Sequence, residues 1–439
     1  MNEDLPTWFG QPRGLTILFL TEMWETFSYY GMRALLVYYM TKELLIGQAG
    51  SSFIYGTYTA SAYFTPILGG MIADRWLGKR RSVILGGSIM TAGHFMMTMP
   101  ALFFPALATI AIGNGLFLPS LPSQISGLYR PGDPRLARAY NVYYVGVNIG
   151  GFLAPLLCGT LGEIYGWHWG FGAAGVGMLV GLLVYTLGGS RYLPVDAPVA
   201  RAAGAAALPG HGVSHRSTWM LLLGVGMAVT VFRGAYEQIG NTVALWADVG
   251  INRHTALAVI PMTWFQSLNP LLVILMTPPL LAHWRRRANA GRTDAAMPRM
   301  ALGAFIVAAA YLLLAAVASA TDQSRASWLW LALFFVVFTV GELHILPTGL
   351  GLFARLAPVG LGATTLAAWF LATFSGSLAA GAIGALWTHM NHAQYFGLLA
   401  LVAAVAGALL LTLDRPARRV DVSRIPELTA PGASHPGVV

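Results

Sequence analysis

The feature that most constrains this chain is a succession of long apolar segments separated by short polar ones. An α-helix rises about 1.5 Å per residue, so about 20 apolar residues cross the roughly 30 Å hydrocarbon core of a bilayer. Only 10% of the 439 residues are charged, whereas soluble domains carry roughly 25%. The sequence therefore predicts an all-α membrane protein with twelve transmembrane helices, at residues 15–41, 50–74, 82–99, 101–128, 138–160, 166–188, 217–247, 254–283, 298–319, 327–354, 360–388 and 393–413.

The predicted spans form two sets of six, separated by a stretch rich in Ala, Pro and Gly. Two six-helix bundles that rock about a site near the midplane are the layout of the major facilitator fold of secondary transporters. We accordingly predict a cytoplasmic N-terminus (1–14), an N-terminal six-helix bundle (15–190), a cytoplasmic linker (191–216), a C-terminal six-helix bundle (217–413) and a disordered cytoplasmic tail (414–439).

The basic residues indicate an orientation. Of the 26 Lys and Arg residues, 21 fall on the side of the termini and the linker, and three, Lys42, Arg253 and Arg325, fall on the other. Positively charged loops stay in the cytoplasm, so both termini are predicted to be cytoplasmic. This distribution accounts for the net charge of +9 without a nucleic acid partner. The short loops and single cysteine suit a multi-pass protein of a bacterial inner membrane.

The first span carries charge where charge is costly. Residues 15–40 are largely apolar but include Glu22, Glu25 and Arg33. An ionisable group in hydrocarbon needs water or an opposite charge, and by default it marks a functional site. On a 3.6-residue period these three residues and Tyr29 share one helix face. We expect that face to line a polar cavity between helices.

The loop after the second span reads Gly-Met-Ile-Ala-Asp-Arg-Trp-Leu-Gly-Lys-Arg-Arg from residue 70. It resembles the loop signature of the major facilitator superfamily. A glycine allows close helix approach, and an aspartate can accept hydrogen bonds at a neighbouring helix end. The motif therefore predicts a conformational latch, with an ordinary basic loop as the alternative. Its residues are Gly70, Asp74, Arg75, Gly78 and Arg80.

The first span also carries the stretch Glu-Met-Trp-Glu-Thr-Phe-Ser-Tyr-Tyr-Gly-Met-Arg from residue 22. It resembles the signature of the proton-dependent oligopeptide transporter family. Further stretches of that family's kind follow in order: Gly-Asn-Gly-Leu-Phe from 113, Tyr-Val-Gly-Val-Asn-Ile-Gly from 144, Tyr-Glu-Gln from 236, Gln-Ser-Leu-Asn-Pro from 266, Gly-Glu-Leu from 341 and Trp-Phe from 369. The resemblance extends from about Gly14 to Arg415.

The resemblance implies secondary active import of di- and tripeptides or peptide-like molecules with protons, by alternating access. It also assigns roles within the pocket. The peptide amino terminus is expected to bind at Asn148, Asn269 and Glu342, and its carboxylate at Arg33. The pocket walls are expected to be formed by Tyr29, Tyr30, Tyr63 and Trp369. Proton movement and gating are expected to involve Glu22, Glu25 and Glu237.

Three positions depart from the family pattern. Thr26 stands where the signature has arginine, and Leu118 stands where the fourth helix has lysine. Conversely, Arg233 occupies what looks like a tryptophan position. It lies four residues before Glu237, on the same helix face, so the two can pair. A structural ion pair and direct substrate binding by Arg233 are both open.

The charges within the spans do not balance, because four glutamates face two arginines. Either glutamates are protonated at neutral pH or the substrate brings positive charge. We favour a proton on one member of the Glu22 and Glu25 pair, because no arginine follows the second glutamate, and we expect the two to titrate as a unit.

The sequence also allows functions other than peptide transport. The chain could be a family member repurposed for another small solute with altered or no proton coupling, or a non-transporting receptor or scaffold. An enzyme is not expected, because no nucleophile with its base and no phosphate loop is visible. His94, His168 and His344 lack metal-ligand spacing, so no metal and no cofactor is expected. The expected partners are the substrate, protons and the lipid bilayer, and we expect a monomer.

Overall fold

Helices dominate the computed structural model, which describes residues 7–8, 10–130, 133–194, 215–255, 258–291, 295–321, 324–357 and 361–418. The α-helices of these residues are α1 Arg13–Lys42, α2 Gln48–Ile72, α3 Lys79–Met96, α4 Phe103–Ser120, α5 Arg135–Ala154, α6 Thr160–Tyr165, α7 Trp167–Tyr192, α8 His215–Tyr236, α9 Thr242–Val249, α10 Phe265–Asn289, α11 Ala296–Ala320, α12 Trp328–Arg355, α13 Gly362–Gly384 and α14 His392–Thr412.

Two pairs of these helices each act as one membrane-crossing rod. A π-helical turn, Pro155–Gly159, joins α5 to α6, and a 3-10 turn, Glu237–Gly240, leads from α8 to α9. The described helices therefore form twelve rods, the number predicted. By length and composition, nine of these rods are apolar enough to cross a membrane. The other three are α1, which carries the charges described above, α2 and α3.

Four two-residue strands accompany the helices among the residues that the structure describes. β1 Thr7–Trp8 pairs antiparallel with β2 Gln11–Pro12, beside the start of α1. β3 Ile251–Asn252 pairs parallel with β4 Ala326–Ser327, and so ties the segment after α9 to the start of α12.

The rods form an N-terminal half, α1–α7, and a C-terminal half, α8–α14. Within each half, small residues let helix backbones approach closely. A Cβ atom added to Gly86 on α3 would lie 2.6 Å from the Gly113 oxygen on α4. A Cβ atom added to Gly303 on α11 would lie 2.5 Å from the Gly341 oxygen on α12. These crossings pack neighbouring helices tightly within each half.

The predicted boundaries fail at the eighth span. Helix α10 begins at Phe265 and not at residue 254, and only the 3-10 turn Met262–Trp264 precedes it directly. Pro261 has an extended backbone and cannot donate a hydrogen bond, which favours a late start. The predicted linker lies largely, and the predicted tail mostly, outside the described residues. The first tail residues, 414–418, are helical.

Candidate functional site

The two halves are joined by hydrogen bonds at one end of the molecule. We call this the far end, where α1 ends and α2 begins, and the opposite end, where α7 ends and α8 begins, the linker end. Lys42 Nζ lies 2.6 Å from Asp248 Oδ2, and Tyr38 Oη donates to the Ala244 oxygen at 2.5 Å. All the hydrogen bonds that we find between described residues of the two halves lie here or at the level of Arg233.

Glu163 on α6 is a central part of this closure. Its carboxylate accepts hydrogen bonds from the backbone nitrogens of Met262 and Thr263, at 3.0 and 2.9 Å. It also accepts one from Thr263 Oγ1 at 2.6 Å, and Arg253 Nη1 lies 3.9 Å from Glu163 Oε2. A carboxylate of one half therefore caps the turn that starts α10 in the other half.

Nearer the middle, one carboxylate is shared by two arginines. Glu237 is 1% exposed and follows α8 directly. Its Oε2 atom lies 2.5 Å from Arg33 Nη2 on α1, across the halves. Its Oε1 atom pairs with Arg233 Nη2, one helical turn earlier in the chain. The group carries one net positive charge when all three side chains are ionised.

Tyrosines hold both guanidinium groups. Arg33 Nε donates to Tyr55 Oη at 2.7 Å, and Arg233 Nη2 donates to Tyr63 Oη at 2.8 Å. The Arg233 guanidinium also lies 4.9 Å from the ring centroid of Tyr63 and 4.7 Å from that of Tyr236. Such cation–π contacts stabilise a cation that is removed from water.

A cavity of about 470 Å³ lies between the halves beside this cluster. Arg233 and Glu342 are the only charged side chains among its described lining residues. Its walls are otherwise mostly apolar and extend along α10 and α12 toward the linker end. The lining residues are Tyr63, Tyr144, Arg233, Thr277, Leu280, Leu281, Trp284, Glu342, Leu343, Leu346, Pro347, Leu350, Trp369 and Thr373.

Glu342 on α12 is held in place by two donors. Tyr236 Oη donates to Glu342 Oε1 at 2.7 Å, and Asn269 Nδ2 donates to Glu342 Oε2 at 2.5 Å. Since the Tyr236 ring also lies against Arg233, one side chain contacts both charged groups of the cavity. The cavity thus presents a fixed carboxylate on α12 and a fixed guanidinium on α8.

Glu22 and Glu25 lie apart from this cavity. They are 4% and 5% exposed, and among the described residues neither forms an ion pair. Glu25 Oε2 accepts a 3.4 Å hydrogen bond from Thr26, and the buried Tyr143 hydroxyl lies beside Glu22. Glu22, Glu25, Tyr29 and Arg33 are not among the described residues that line this cavity, so the prediction that their face of α1 lines a polar cavity stays a prediction.

The other predicted site residues are distributed around the cavity. Tyr63, Arg233, Glu342 and Trp369 line it. Asn269 contacts it through Glu342. Outside the lining, Asn148 Nδ2 donates to the Tyr144 oxygen on its own helix at 2.9 Å, Tyr30 lies against Arg33, and Tyr29 stacks on Tyr58 with ring centroids 6.2 Å apart.

The latch motif lies at the linker end. Residues Ala73–Leu77 form a π-helical turn, and Gly78 has φ 77°, a conformation that favours glycine. A Cβ atom added to Gly70 would lie 3.5 Å from the Pro119 side chain. Asp74 is exposed and forms no hydrogen bond or ion pair with the residues that the structure describes. The latch therefore stays a prediction.

Sequence reasoning missed three contributors to the site. Tyr236 belongs to the Tyr-Glu-Gln stretch from residue 236, in which the family resemblance implies a role only for Glu237. Trp284, which lines the cavity, immediately precedes a run of arginines and looked like the end of a span. Glu163 lies near the end of a short helix, and no local pattern relates it to Thr263, which is 100 residues away.

The fold and the site define a class of protein. Two bundles of membrane-crossing helices, closed against each other at one end and enclosing a charged cavity between them, form a transporter of the major facilitator fold. The chain belongs to the POT family, whose sequence model matches residues 80–196 and 213–398. It is a transporter and not an enzyme.

Known proteins resemble the chain over nearly its full length. The peptide transporter YePEPT of Yersinia enterocolitica is 31% identical, with 94% of this chain and 96% of that protein covered. The di-/tripeptide transporter of Lactococcus lactis subsp. cremoris is 29% identical, with 95% and 98% covered. A crystal structure of a peptide transporter POT in complex with sulfate has a TM-score of 0.87 and 29% identity, with 95% of this chain and 97% of that chain covered.

Proposed function

We propose that the protein imports di- and tripeptides, or peptide-like small solutes, together with protons by alternating access. The observation that carries this proposal is the cavity of about 470 Å³, with one carboxylate and one guanidinium among its lining residues. A volume of several hundred Å³ and two opposite charges suit a small zwitterion. Relatives described as peptide transporters support the choice of peptides.

The amino end of the substrate binds at Glu342. This is the only acidic side chain among the described lining residues, and Asn269 fixes its orientation. Asn148, one turn after the lining residue Tyr144, offers a further amide to the same end. A substrate ammonium group would neutralise a carboxylate that the cavity otherwise leaves without a direct ion pair among the described residues.

The carboxyl end of the substrate binds at the arginines. Arg233 lines the cavity, and Arg33 becomes available when its contact with Glu237 breaks. Tyr63 and Trp369 form apolar walls, and Tyr29 and Tyr30 shape the region beside Arg33. Arg33 and Arg233 thus supply the positive charge for the substrate carboxylate, because this chain has no cation at positions 26 and 118.

Glu22 and Glu25 carry the coupled proton. Both carboxylates are buried beside each other, and ionising both would place two like charges in a medium of low dielectric constant. One shared proton removes this repulsion. Glu237 belongs to the gate, through its contact with Arg33.

The membrane orientation follows the charge distribution. The linker end, with both termini, faces the cytoplasm of a bacterial inner membrane, because most of the basic residues lie there. The described conformation, closed at the far end, is then inward-facing. The latch at Gly70, Asp74, Arg75, Gly78 and Arg80 acts in the opposite, outward-facing conformation. The transporter acts as a monomer.

The test is uptake of a labelled dipeptide by liposomes that contain the purified protein, with and without an inward proton gradient. We expect gradient-stimulated accumulation that is lost in Glu22→Gln or Glu25→Gln and retained in Glu43→Gln, which alters an exposed carboxylate after α1. Equilibration without accumulation would indicate a facilitator. No uptake by demonstrably folded protein would favour a peptide-like or cationic solute, or a receptor.

A further inference from the structure

Glu237 is held by two arginines whose contacts change differently when the far end opens. Arg33 reaches Glu237 from the N-terminal half, with Nη2 and Oε2 2.5 Å apart. Arg233 belongs to the same half as Glu237 and lies one helical turn before it. Separation of the halves at the far end therefore breaks the first contact and preserves the second.

The second contact decides what happens to the Glu237 carboxylate. A buried carboxylate that loses its only cation is strongly destabilised, and it normally takes up a proton instead. Here Arg233 remains on the other oxygen. The groups that face Glu237 are otherwise neutral or distant: Tyr55 on α2, Ser377 on α13 at 3.5 Å, and at longer range Tyr29 and Tyr30 on α1, Tyr311 on α11 and Glu342 on α12.

Arg233 is positioned to serve as a permanent counter-ion. The rings of Tyr63 and Tyr236 flank its guanidinium, and the Tyr63 hydroxyl accepts a 2.8 Å hydrogen bond from Nη2. Gly376 on α13 allows its close approach, since a Cβ atom at that position would overlap with Arg233 Cβ. Tyr236 and Gly376 belong to the same half as Glu237, so their contacts with Arg233 persist when the halves separate, whereas the contact with Tyr63 on α2 crosses the halves.

We propose that Arg233 takes the place of a gating proton on Glu237, so that the far end opens without protonation of this carboxylate and in response to an anionic group that captures Arg33. The proposal rests on the proposed transport function, which supplies the anion as a substrate carboxylate. In the open state Glu237 and Arg233 neutralise each other, and Arg33 is the group left without an anion. Opening of the far end, in which the contact between Arg33 and Glu237 breaks, thus depends on the charge of the substrate. Glu22 and Glu25 carry the coupled proton.

The test measures opening directly, without substrate. Spin labels at Glu43→Cys and Leu329→Cys, two exposed far-end positions in different halves, report the separation of the halves. The background carries Cys158→Ala, which removes the chain's single cysteine. The fraction of molecules with a long distance between the two labels is the open population. It is compared at about pH 5 and about pH 8, a pH range in which a buried carboxyl group can titrate, in proteins with and without Glu237→Gln.

With Arg233 present, Glu237→Gln should leave the ratio of open populations at the two pH values unchanged. In the Arg233→Gln variant that retains Glu237, the open population should be at least about tenfold larger at the lower pH. Adding Glu237→Gln to this variant should remove the pH response. Arg233→Lys, which keeps the charge, should behave as the unmodified chain. Adding a dipeptide should increase opening of the unmodified chain more than adding its C-terminal amide.

Two results would overturn the proposal. One is a pH response of the unmodified chain that Glu237→Gln abolishes, and this comparison stands even if Arg233→Gln fails to fold. The other is that the unmodified chain and the Arg233→Gln variant behave alike, either because their open populations respond equally to pH or because the far end opens in neither. Lack of dipeptide uptake in the same preparation would contradict the proposed function separately, because the pH comparison needs no substrate.

Discussion

Glu163 accepts two hydrogen bonds from Thr263, one from its backbone nitrogen at 2.9 Å and one from its Oγ1 atom at 2.6 Å. The two residues belong to different halves of the transporter. Because the acceptor is a carboxylate, these bonds are stronger than bonds between neutral groups. The start of α10 is therefore fixed to the N-terminal half as long as the far end is closed.

Removing this carboxylate should open the far end. Hydrogen bonds to a charged group contribute about 1.5–3 kcal/mol each, so Glu163→Ala should raise the open population about tenfold or more. The distance between labels at positions 43 and 329 measures this change. Asp133→Ala, which removes a carboxylate at the linker end, is the control and should leave the distance unchanged. Equal effects of the two substitutions would contradict a specific role for Glu163.

Arg233→Trp should weaken the binding of substrates with a free carboxylate more than that of their amides. Loss of a charge-assisted hydrogen bond corresponds to about a tenfold loss of affinity or more. Competition with a labelled dipeptide in liposomes compares the two substrate types, with Arg233→Lys as the control that retains the charge. Equal weakening for acids and amides would identify Arg233 as a structural partner of Glu237 only.

Glu25→Gln should abolish the stimulation of uptake by an inward proton gradient while leaving equilibrium exchange of substrate measurable. The physical reason is that a glutamine beside Glu22 removes the like-charge repulsion that makes the pair retain a proton. Exchange of labelled against unlabelled dipeptide, without a gradient, is measured in the same liposomes. If the variant still accumulates substrate with the gradient, the coupled proton binds at a site other than the Glu22 and Glu25 pair.

Gly69→Ala should destabilise the N-terminal half. Its Cβ atom would overlap with the Gly115 oxygen on α4, a backbone atom that cannot move alone. Overpacking of this kind costs about 1–3 kcal/mol, which thermal unfolding in detergent detects as a lower melting temperature. Gly397→Ala on α14 has no atom within 4 Å of its added Cβ and should leave the melting temperature unchanged or slightly higher.

Much of the fold and part of the site can be read from local patterns. Segment length and hydropathy predict twelve rods, because a bilayer requires helices of a fixed span. The predicted start of the eighth span is wrong for a physical reason. Residues 254–264 are apolar enough to resemble a span, but Pro261 and the cap from Glu163 delay the helix, and that cap comes from the other half.

The sequence by itself determined the number of rods, the charges within them and the spacing of Arg233 from Glu237, because these depend on helix period and on the cost of charge in lipid. Only the tertiary structure decided that Arg33 meets Glu237, 204 residues away, and that Glu22 and Glu25 are enclosed and not exposed to the cavity. The reason is that ion pairs between helices are fixed by how the two halves pack, and no local spacing encodes which faces will meet.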